Sequence, residues 1–300
     1  MKEPFGFLNL IKPPGMTSHD LVDEARRIFG IKRIGHGGTL DPGASGVLPL
    51  AVGRATKLFE YLQESVKLYR GEITFGISTT SHDAQGDILE KKEASWITKE
   101  KIEEIIPLFI GEIQQIPPQV SAIHFKGKRS YEWTRKGVKV DLEPRNVRIE
   151  NIVIKKFMEG EFPKVILDVK SSPGMYMRAL ARDLGEKLET GAFLSFLVRL
   201  ESGPFKIEDA YTLEEVKEKA LQEELGAVLL KGDRVLSHIP KISISEQQKT
   251  LLFRANRLPL DTEPGKNLIQ LYDEEEELIA LGTIKGEKRP YYFQPVKIFD

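Results

Sequence analysis

One short segment of the sequence places a histidine and an aspartate among closely spaced glycines. Residues 35–46 read GHGGTLDPGASG. Glycine allows positive φ angles and a close approach of a ligand to the backbone, and Pro42 favours an extended conformation of Asp41. The segment could therefore present one carboxylate in a fixed direction on a tight loop. On composition alone, a glycine-rich turn capped by the aspartate is the simpler interpretation.

A second segment places a tyrosine and an arginine at the start of a predicted helix. Residues 172–178 read SPGMYMR, with Tyr176 and Arg178 two positions apart. An arginine in the first turn opposes the helix dipole, which favours carboxylates there. Either an anion such as Asp41 or a phosphate holds Arg178 in this place, or Arg178 is an ordinary surface residue.

Residues 124–139 are strongly basic and contain interleaved aromatic residues. The segment has six basic residues and the single acid Glu132, whereas the whole chain has a formal net charge of −1. Cations for phosphates, together with aromatic faces for bases, are typical of RNA-contacting elements. The alternative is a solvated loop whose aromatic side chains pack against the protein. The basic residues are Lys126, Lys128, Arg129, Arg135, Lys136 and Lys139, and the aromatic residues are Phe125, Tyr131 and Trp133.

The composition excludes several classes of chemistry. The chain has no cysteine, which excludes disulfides, thiol nucleophiles and cysteine-ligated zinc. It lacks the GxxxxGKS/T phosphate loop, the HExxH zinc motif and the GxSxG nucleophile elbow. No pair among its five histidines has the i, i+4 spacing of a zinc site, so we expect no metal. No apolar run is long enough to predict a signal peptide or a membrane span.

The segments around these residues are predicted to be strands joined by loops and short helices. Apolar or alternating runs predict strands at 5–11, 69–77, 147–157 and 165–171. Residues 35–54 are rich in glycine and are predicted to be mostly loop.

Helix starts are marked by capping residues. Thr17 or Ser18 precedes a helix that ends at Gly30. Thr98 precedes another helix, in which Pro107 predicts a bend or a restart. Further starts are predicted directly after Pro173 and Gly174, at Thr212 with Glu215 in a capping box, and at Ser245 with Gln248.

The length of 300 residues predicts about two domains. Around His238 and Pro240 the sequence changes to short strands joined by polar turns. We therefore predict a domain boundary near residues 236–240.

In order along the chain, these segments match the motifs of a known enzyme family. KPPGMTS at 12–18 is similar to an opening KPxGxTS motif, and GHGGTLDPGASGVLPL at 35–50 is similar to a catalytic motif. The sequence closely resembles the TruB family of tRNA pseudouridine synthases, which isomerise uridine 55 in the T-loop. Further matches are KLYR at 67–70, SHDAQG at 81–86 with Asp83 at the central carboxylate, QIPP at 115–118 with the basic segment after it, SSPGMYMRALARDLG at 171–185 and GAFLSFLVRLESGPF at 191–205.

The chain departs from the family pattern at two positions. Thr80 or its neighbour stands where the TDxxDxxG motif has its first acid, and Gly43 replaces the bulky residue often found after Asp-Pro. Neither departure touches a residue to which the resemblance assigns chemistry.

The resemblance implies that Asp41 is the nucleophile and that Arg178 pairs with it. A nearby cation favours the ionised carboxylate and fixes its direction. The target base must be flipped out of the folded loop, and Tyr69 would stack on the flipped uracil and help to remove the proton on C5. His36 would occupy or support the space that the base leaves. The pocket would be lined by Tyr176 and Leu197, and RNA would be bound by Lys126, Lys128 and Arg129.

The fold implied by the resemblance is α/β, of the α+β kind. It has a mixed, largely antiparallel sheet with flanking helices and an inserted thumb at about 115–145. A small β-rich domain of the PUA type, which binds RNA, would follow. The catalytic domain would comprise residues 1–237 and the PUA-like domain residues 238–300.

The reaction involves no redox change, so the resemblance implies no cofactor. The implied partner is the T-arm of tRNA, with no membrane and no obligatory protein partner, and a cytoplasmic monomer is expected. One alternative is the guide-RNA-dependent branch of the superfamily, which tends to carry extra basic termini. The given sequence starts almost directly at its first predicted strand, so we expect the stand-alone enzyme. Another is a non-catalytic RNA-binding or RNA-folding protein, against which the set of Asp41, Tyr69 and Arg178 argues.

Overall fold

A computed structural model describes residues 5–119, 124–125, 127–129, 133, 138, 140–265 and 267–299. These residues form nineteen β-strands and six α-helices. The helices are α1 (Ser18–Phe29), α2 (Phe59–Gln63), α3 (Lys99–Ile105), α4 (Met177–Lys187), α5 (Leu213–Leu221) and α6 (Glu246–Ala255). The strands are β1 (Gly6–Lys12), β2 (Ile34–His36), β3 (Ser45–Val52), β4 (Lys67–Phe75), β5 (Ile77–Thr79), β6 (Ile88–Lys91), β7 (Gly111–Gln115), β8 (His124–Phe125), β9 (Lys128–Arg129), β10 (Arg145–Met158), β11 (Lys164–Ser171), β12 (Ala192–Ser202), β13 (Phe205–Lys206), β14 (Leu229–Leu230), β15 (Lys241–Ser243), β16 (Leu258–Leu260), β17 (Ile269–Tyr272), β18 (Leu278–Lys285) and β19 (Tyr291–Ile298).

A ten-stranded sheet forms the larger part of the molecule. Its order is β14-β1-β3-β12-β4-β11-β10-β7, with β2 beside β3 and β13 beside β12. Neighbouring strands are antiparallel except β3 and β12, which run parallel. The predicted mixed, largely antiparallel sheet is therefore confirmed. A separate five-stranded sheet, in the order β15-β17-β18-β19-β16, forms a β-rich C-terminal domain.

The prediction that residues 35–54 are mostly loop is wrong. Strand β3 lies within this range, beside β1 and β12, and its residues are almost all buried. Gly46 has φ +104, and a Cβ atom there would lie 2.2 Å from the carbonyl oxygen of Arg199. This glycine therefore permits a close approach of β12 to a buried strand. The prediction had interpreted the glycine-rich segment as a turn.

The helix starts predicted from capping residues are confirmed, and the helix predicted directly after Gly174 begins three residues later, at Met177. Thr17 caps α1 in a capping box, and Gly30 ends the helix in the left-handed conformation. Helix α3 begins after Thr98 and stops at Ile105, where a 3-10 turn containing Pro107 follows. Helices α5 and α6 begin with the capping boxes of Thr212 with Glu215 and of Ser245 with Gln248. These ends are local hydrogen-bond patterns, which is why the sequence predicts them.

Two hydrophobic cores hold helices against the large sheet. Leu180 and Leu184 of α4 are fully buried in a core with Ile73, Leu167 and Val169 of β4 and β11. Helix α1 packs in a second core with β1 and β3. Burial of each large apolar side chain contributes roughly 1.5–3 kcal/mol, so α4 is firmly fixed over the middle of the sheet.

A further core lies between the large sheet and the C-terminal domain. It contains Phe7 and Leu62 from the first part of the chain and Tyr272, Leu281 and Phe299 from the last part. The large sheet ends in sequence at β14 and the smaller sheet begins at β15, on either side of the predicted boundary. The two sheets share these buried apolar residues, and the division at residues 237–238 stays a prediction.

Part of the predicted thumb, mainly within residues 120–139, lies outside the described residues. Strand β7 leads into it and β10 follows it, and these two strands pair with each other. Within it, β8 and β9 form an antiparallel pair. Of the predicted RNA-binding residues, Lys128 and Arg129 belong to β9, and Lys126 lies outside the described residues.

Candidate active site

A cleft of about 400 Å³ opens beside the middle of the large sheet. Its lining comes from the loop between β2 and β3, from the loop before α4, and from β4 and β12. This volume suits a nucleoside-sized ligand. The cleft brings together all six residues that the sequence assigned to catalysis or substrate binding, namely His36, Asp41, Tyr69, Tyr176, Arg178 and Leu197.

Each of these residues is held by a packed element. Tyr69 on β4 and Leu197 on β12 are partly buried against the two cores beside the cleft. Tyr176 is the N-cap of α4, and Arg178 lies in its first turn. His36 ends β2, which pairs with β3. The sheet therefore supports the aromatic wall, and α4 supports the cationic one.

Asp41 and Arg178 form an ion pair in the lining of the cleft. Nε of Arg178 lies 2.9 Å from Oδ2 of Asp41, and only 4% of the Arg178 side chain is exposed, compared with 41% for Asp41. The interpretation of Arg178 as a surface arginine is therefore wrong. The guanidinium holds the carboxylate in one direction but leaves part of it open to the cleft.

A second carboxylate lies on the other side of the guanidinium. Nη1 of Arg178 is 3.6 Å from Oδ2 of Asp83 and donates to the carbonyl oxygen of Ser81 at 3.3 Å. Asp83 in turn accepts a hydrogen bond from the backbone N–H of Gln85 at 3.0 Å and another from the Ser81 hydroxyl. The loop at 81–86 thus holds the guanidinium of Arg178 through Ser81 and Asp83, in addition to its contact with Asp41.

The protonation of Asp41 reflects opposing influences. Burial raises the pKa of the Asp41 carboxyl above its ordinary value, and the nearby Asp83 adds to this rise. The guanidinium of Arg178 and the ammonium of Lys12 act in the opposite direction, without cancelling the rise. Asp41 is therefore a more basic carboxylate than an exposed aspartate.

Three buried cations that sequence reasoning did not assign to the site hold the loops around the cleft. Nζ of Lys12 donates to the carbonyl oxygens of Pro13, Met16 and Pro42 at 2.9, 2.7 and 3.2 Å. Burial lowers the pKa of Lys12 to about 8. This ammonium ties the opening KPPGMTS segment to the residue that follows Asp41.

The other two buried cations act in the same way. Nζ of Lys67 donates to the carbonyl oxygens of Leu62 and Gln63 at 3.0 and 2.8 Å, and burial lowers the pKa of Lys67 to about 8. Nε of Arg199 donates to the carbonyl oxygen of Val47 at 2.7 Å, and its Nη2 to that of Gly38 at 3.2 Å. The bonds of Lys67 are local, within five residues, whereas those of Arg199 join segments that only the fold brings together.

Within the described ranges, no group of three or more histidine, aspartate or glutamate side chains is placed to hold a metal ion. Helices of the length and apolar character needed to cross a membrane are likewise not found in the described part of the chain.

The chain matches two protein-family models. Residues 26–177 match the TruB family pseudouridylate synthase N-terminal domain, and residues 178–237 match the tRNA pseudouridylate synthase B C-terminal domain. The chain belongs to the TruB family. The resemblance inferred from the motifs is thereby confirmed. The ion pair joins the two matched regions, because Asp41 belongs to the first and Arg178 to the second.

Several relatives are similar over nearly their whole length. The tRNA pseudouridine synthase B of Caldanaerobacter subterraneus subsp. tengcongensis is 42% identical over 294 residues, which cover 98% of this chain and 99% of the relative. The protein of the same name from Synechocystis sp. is 45% identical over 260 residues, 87% of each chain. Among solved structures, a Cbf5-Nop10-Gar1 complex contains a chain with a TM-score of 0.73 and 28% identity, covering 99% of this chain and 85% of that one.

Proposed function

We propose that this protein is a tRNA pseudouridine synthase that converts uridine 55 of the T-loop to pseudouridine. The observation that carries the proposal is the carboxylate of Asp41, held by the buried Arg178 and open to a nucleoside-sized cleft. TruB membership and the names of the relatives support tRNA as the substrate.

The reaction breaks the N1–C1′ bond of uridine, turns the uracil and joins C5 to C1′. The proton on C5 is lost and N1 gains one, so the product is an isomer of the substrate. The ionised Asp41 would act by attack at C1′, or by elimination to a glycal to which the turned base is later added. Because Arg178 is fixed by Asp83 and Ser81, the carboxylate needs no reorganisation when the base enters the cleft.

The flipped uracil would lie against the wall formed by Tyr69, Tyr176 and Leu197. Stacking on an aromatic face supplies part of the energy that flipping a base out of its loop requires, a few kcal/mol. Tyr69 would also be placed to help remove the C5 proton, and His36 in the lining of the cleft would occupy or support the space vacated by the base.

RNA outside the cleft would be bound by the thumb and by the C-terminal domain. We assign phosphate contacts to Lys126, Lys128 and Arg129, and an RNA-binding role of the PUA type to residues 238–300. The protein would act as a cytoplasmic monomer on the T-arm of tRNA, without a cofactor, a membrane or an obligatory protein partner.

One experiment tests this function. The purified protein alone is incubated with an unmodified T-arm stem-loop, and pseudouridine is scored at each uridine. We expect modification only at the uridine equivalent to position 55. Asp41→Asn keeps the shape of the side chain but removes the nucleophile, so it should abolish product while leaving RNA affinity nearly unchanged. Residual turnover within about tenfold of wild type, which is about 1.4 kcal/mol in the barrier, would contradict the role of Asp41.

The same experiment addresses the guide-RNA-dependent alternative. The likeness to the chain in the Cbf5-Nop10-Gar1 complex is the observation in favour of that alternative. Activity of the protein alone on a stem-loop, with no guide RNA, would exclude it. Product formation would also exclude a purely RNA-folding role.

A further inference from the structure

The two strands that flank the thumb also hold one wall of the cleft. Strand β7 ends at Gln115, directly before the thumb, and β10 begins at Arg145, directly after it. The wall is the loop between β11 and α4, and Pro173, Gly174, Met175 and Tyr176 of this loop line the cleft. A connection between these strands and this loop therefore links the RNA-contacting insertion to the reacting groups.

The side-chain amide of Gln115 makes that connection at Tyr176. Its Oε1 accepts a hydrogen bond from the backbone N–H of Tyr176 at 2.8 Å, and its Nε2 donates to the carbonyl oxygen of Tyr176 at 3.2 Å. The carbonyl oxygen of Tyr176 also accepts from the N–H of Leu180, which begins helix α4. Gln115 is only 1% exposed, so these bonds are shielded from water.

The helix start has no side-chain cap of its own. Tyr176 is the N-cap residue, and its side chain makes no capping hydrogen bond. Gln115 thus holds the backbone of the residue that precedes α4, and Arg178 follows two residues later. A second contact from the same region reaches α4, because Nη2 of Arg182 donates to the carbonyl oxygen of Ile116 at 3.1 Å.

The other end of the loop is held by β10. The N–H of Ser172 donates to the carbonyl oxygen of Arg148 at 2.8 Å, and the N–H of Arg148 donates to Oγ of Ser172 at 2.9 Å. The loop is therefore fixed on both sides by the strands that carry the thumb.

We propose that Gln115 is a positioning residue for the reaction, which registers the start of α4, and with it Arg178, against the strands that carry the thumb. The inference rests on the proposed function. Gln115 itself does not line the cleft; it acts through the backbone of Tyr176. Since an error of about 1 Å in the placement of catalytic groups reduces rates by about 100-fold, removal of these two hydrogen bonds should slow chemistry more than it weakens RNA binding.

The test compares two neighbouring glutamines. Gln115→Met keeps a side chain of similar length but removes both hydrogen bonds to Tyr176. Gln114→Met is the matched control, because Gln114 lies on the same strand and is exposed. For each variant we would measure the single-turnover rate of pseudouridine formation on a T-arm stem-loop with saturating enzyme, the Kd for the stem-loop in an Asp41→Asn background, and the thermal melt.

We expect the single-turnover rate of Gln115→Met to fall by about 10- to 100-fold, with a Kd within about threefold of the parent and a cooperative melt. Gln114→Met should match wild type. A wild-type rate in a cooperatively folded Gln115→Met protein would overturn the proposal. A raised Kd with an unchanged rate would also overturn it, since Gln115 would then serve only to hold the thumb.

A milder variant covers the case in which Gln115→Met does not fold. Ser172→Ala removes only the hydroxyl that accepts from the N–H of Arg148. It should lower the single-turnover rate several-fold without changing the Kd, and an unchanged rate would count against the proposal. If the wild-type protein makes no pseudouridine, the proposed function fails. If the wild-type protein is active and the variants match it, only the role of Gln115 fails.

Discussion

Nζ of Lys12 lies 3.2 Å from the carbonyl oxygen of Pro42, the residue that follows Asp41. The N–H of Gly15 donates to the same oxygen at 2.8 Å. The opening segment of the chain is therefore fastened to the loop that carries the carboxylate. This contact gives the KPPGMTS motif a physical role beside the catalytic motif, although the two are far apart in sequence.

Lys12→Met should loosen this loop. The substitution removes three hydrogen bonds from a charged donor, to the carbonyl oxygens of Pro13, Met16 and Pro42, at a cost of about 1–3 kcal/mol in the free energy of unfolding. The kcat on a stem-loop should fall as well, because Asp41 loses its fixed direction. Urea unfolding and steady-state kinetics would measure both, with the exposed Lys32→Met as control. Unchanged stability and kcat would show that the loop is held without Lys12.

The activity should fall in acid at a pH above the ordinary range of aspartate. Burial raises the pKa of Asp41 above 3.8, and only the ionised carboxylate is a nucleophile, so kcat/KM should decrease as the pH falls through this raised pKa. Asp83→Asn removes a neighbouring negative charge that contributes to the rise. In any active Asp83→Asn enzyme, the acid limb of the pH profile should therefore move to lower pH. An acid limb that stays in place would remove Asp83 as a cause of the shift.

The same shift predicts the effect of Asp41→Asn on stability. A carboxyl whose pKa is raised by folding stabilises the fold while it is protonated, below pH 3.8, and this contribution is lost as the pH rises through the folded pKa. Above its folded pKa, the ionised Asp41 thus lowers the stability of the fold. Asparagine can still accept from Arg178, so Asp41→Asn should not lower the free energy of unfolding at pH 7 in a urea titration. A marked loss would mean that the pairing with Arg178 outweighs burial.

The features that the sequence predicted depend on local patterns or on motifs. Capping residues mark the ends of α1, α5 and α6 by hydrogen bonds within a few residues. The pairing of Asp41 with Arg178 was predicted because an arginine at a helix start needs an anion and because both residues belong to family motifs. The physical reason is the same in each case. A backbone N–H at a helix start needs an acceptor, and an arginine there needs an anion, so the residue type predicts the kind of partner.

The features that the sequence did not predict depend on the fold. Strand β3 was missed because Gly46 looks like a turn residue until the backbone of Arg199 is seen beside it. The bonds of Lys67 and Arg199 were missed because their partners are backbone carbonyl oxygens, which every residue has. Composition cannot reveal which carbonyl a buried cation meets.

The thumb should contribute to the salt dependence of RNA binding. Replacement of Lys126, Lys128 and Arg129 by alanine should weaken binding and reduce the slope of log K against log salt by about 0.7 to 0.9 for each phosphate that no longer meets a cation. Filter binding of a T-arm stem-loop between low and moderate salt would measure the slope. A double variant of Lys99 and Lys101 on α3 to alanine serves as control for general charge loss. An unchanged slope in the thumb variant would mean that the basic segment is only solvated surface.

Deletion of residues 238–300 should destabilise the remaining part of the chain. The deletion would expose Phe7 and Leu62, which are fully buried in the core shared with Tyr272 and Phe299. We therefore expect a lower Tm or a loss of the cooperative melt. A change in the kinetics of the truncated enzyme could then come from lost folding as well as from lost RNA binding. A truncated protein with an unchanged Tm would show that the shared core contributes little. Differences between full tRNA and stem-loop are better measured with point variants.

Tyr272→Phe tests the core shared by the two sheets without shortening the chain. The hydroxyl of Tyr272 lies against the carboxylate of Asp233 and 2.9 Å from Oε1 of Gln270, and Nε2 of Gln270 donates to the carbonyl oxygens of Leu236 and Ile239. Removal of the hydroxyl takes away the single O–H donor that faces the buried Oε1 of Gln270 and the half-buried carboxylate of Asp233. It should lower the free energy of unfolding by about 1–3 kcal/mol.

The kinetics of the same variant separate support from catalysis. Any RNA contact that depends on the core shared by the two sheets is the same in the bound complex and in the transition state. The kcat on a stem-loop should therefore stay unchanged in Tyr272→Phe. Tyr292→Phe in the same sheet is the matched control, since it keeps the ring that stacks with Arg257, and it should change neither stability nor kcat. A large loss of kcat in a Tyr272→Phe protein that still melts cooperatively would mean that the C-terminal domain shapes the active site. In that case residues 238–300 could not be regarded as an RNA-binding appendage.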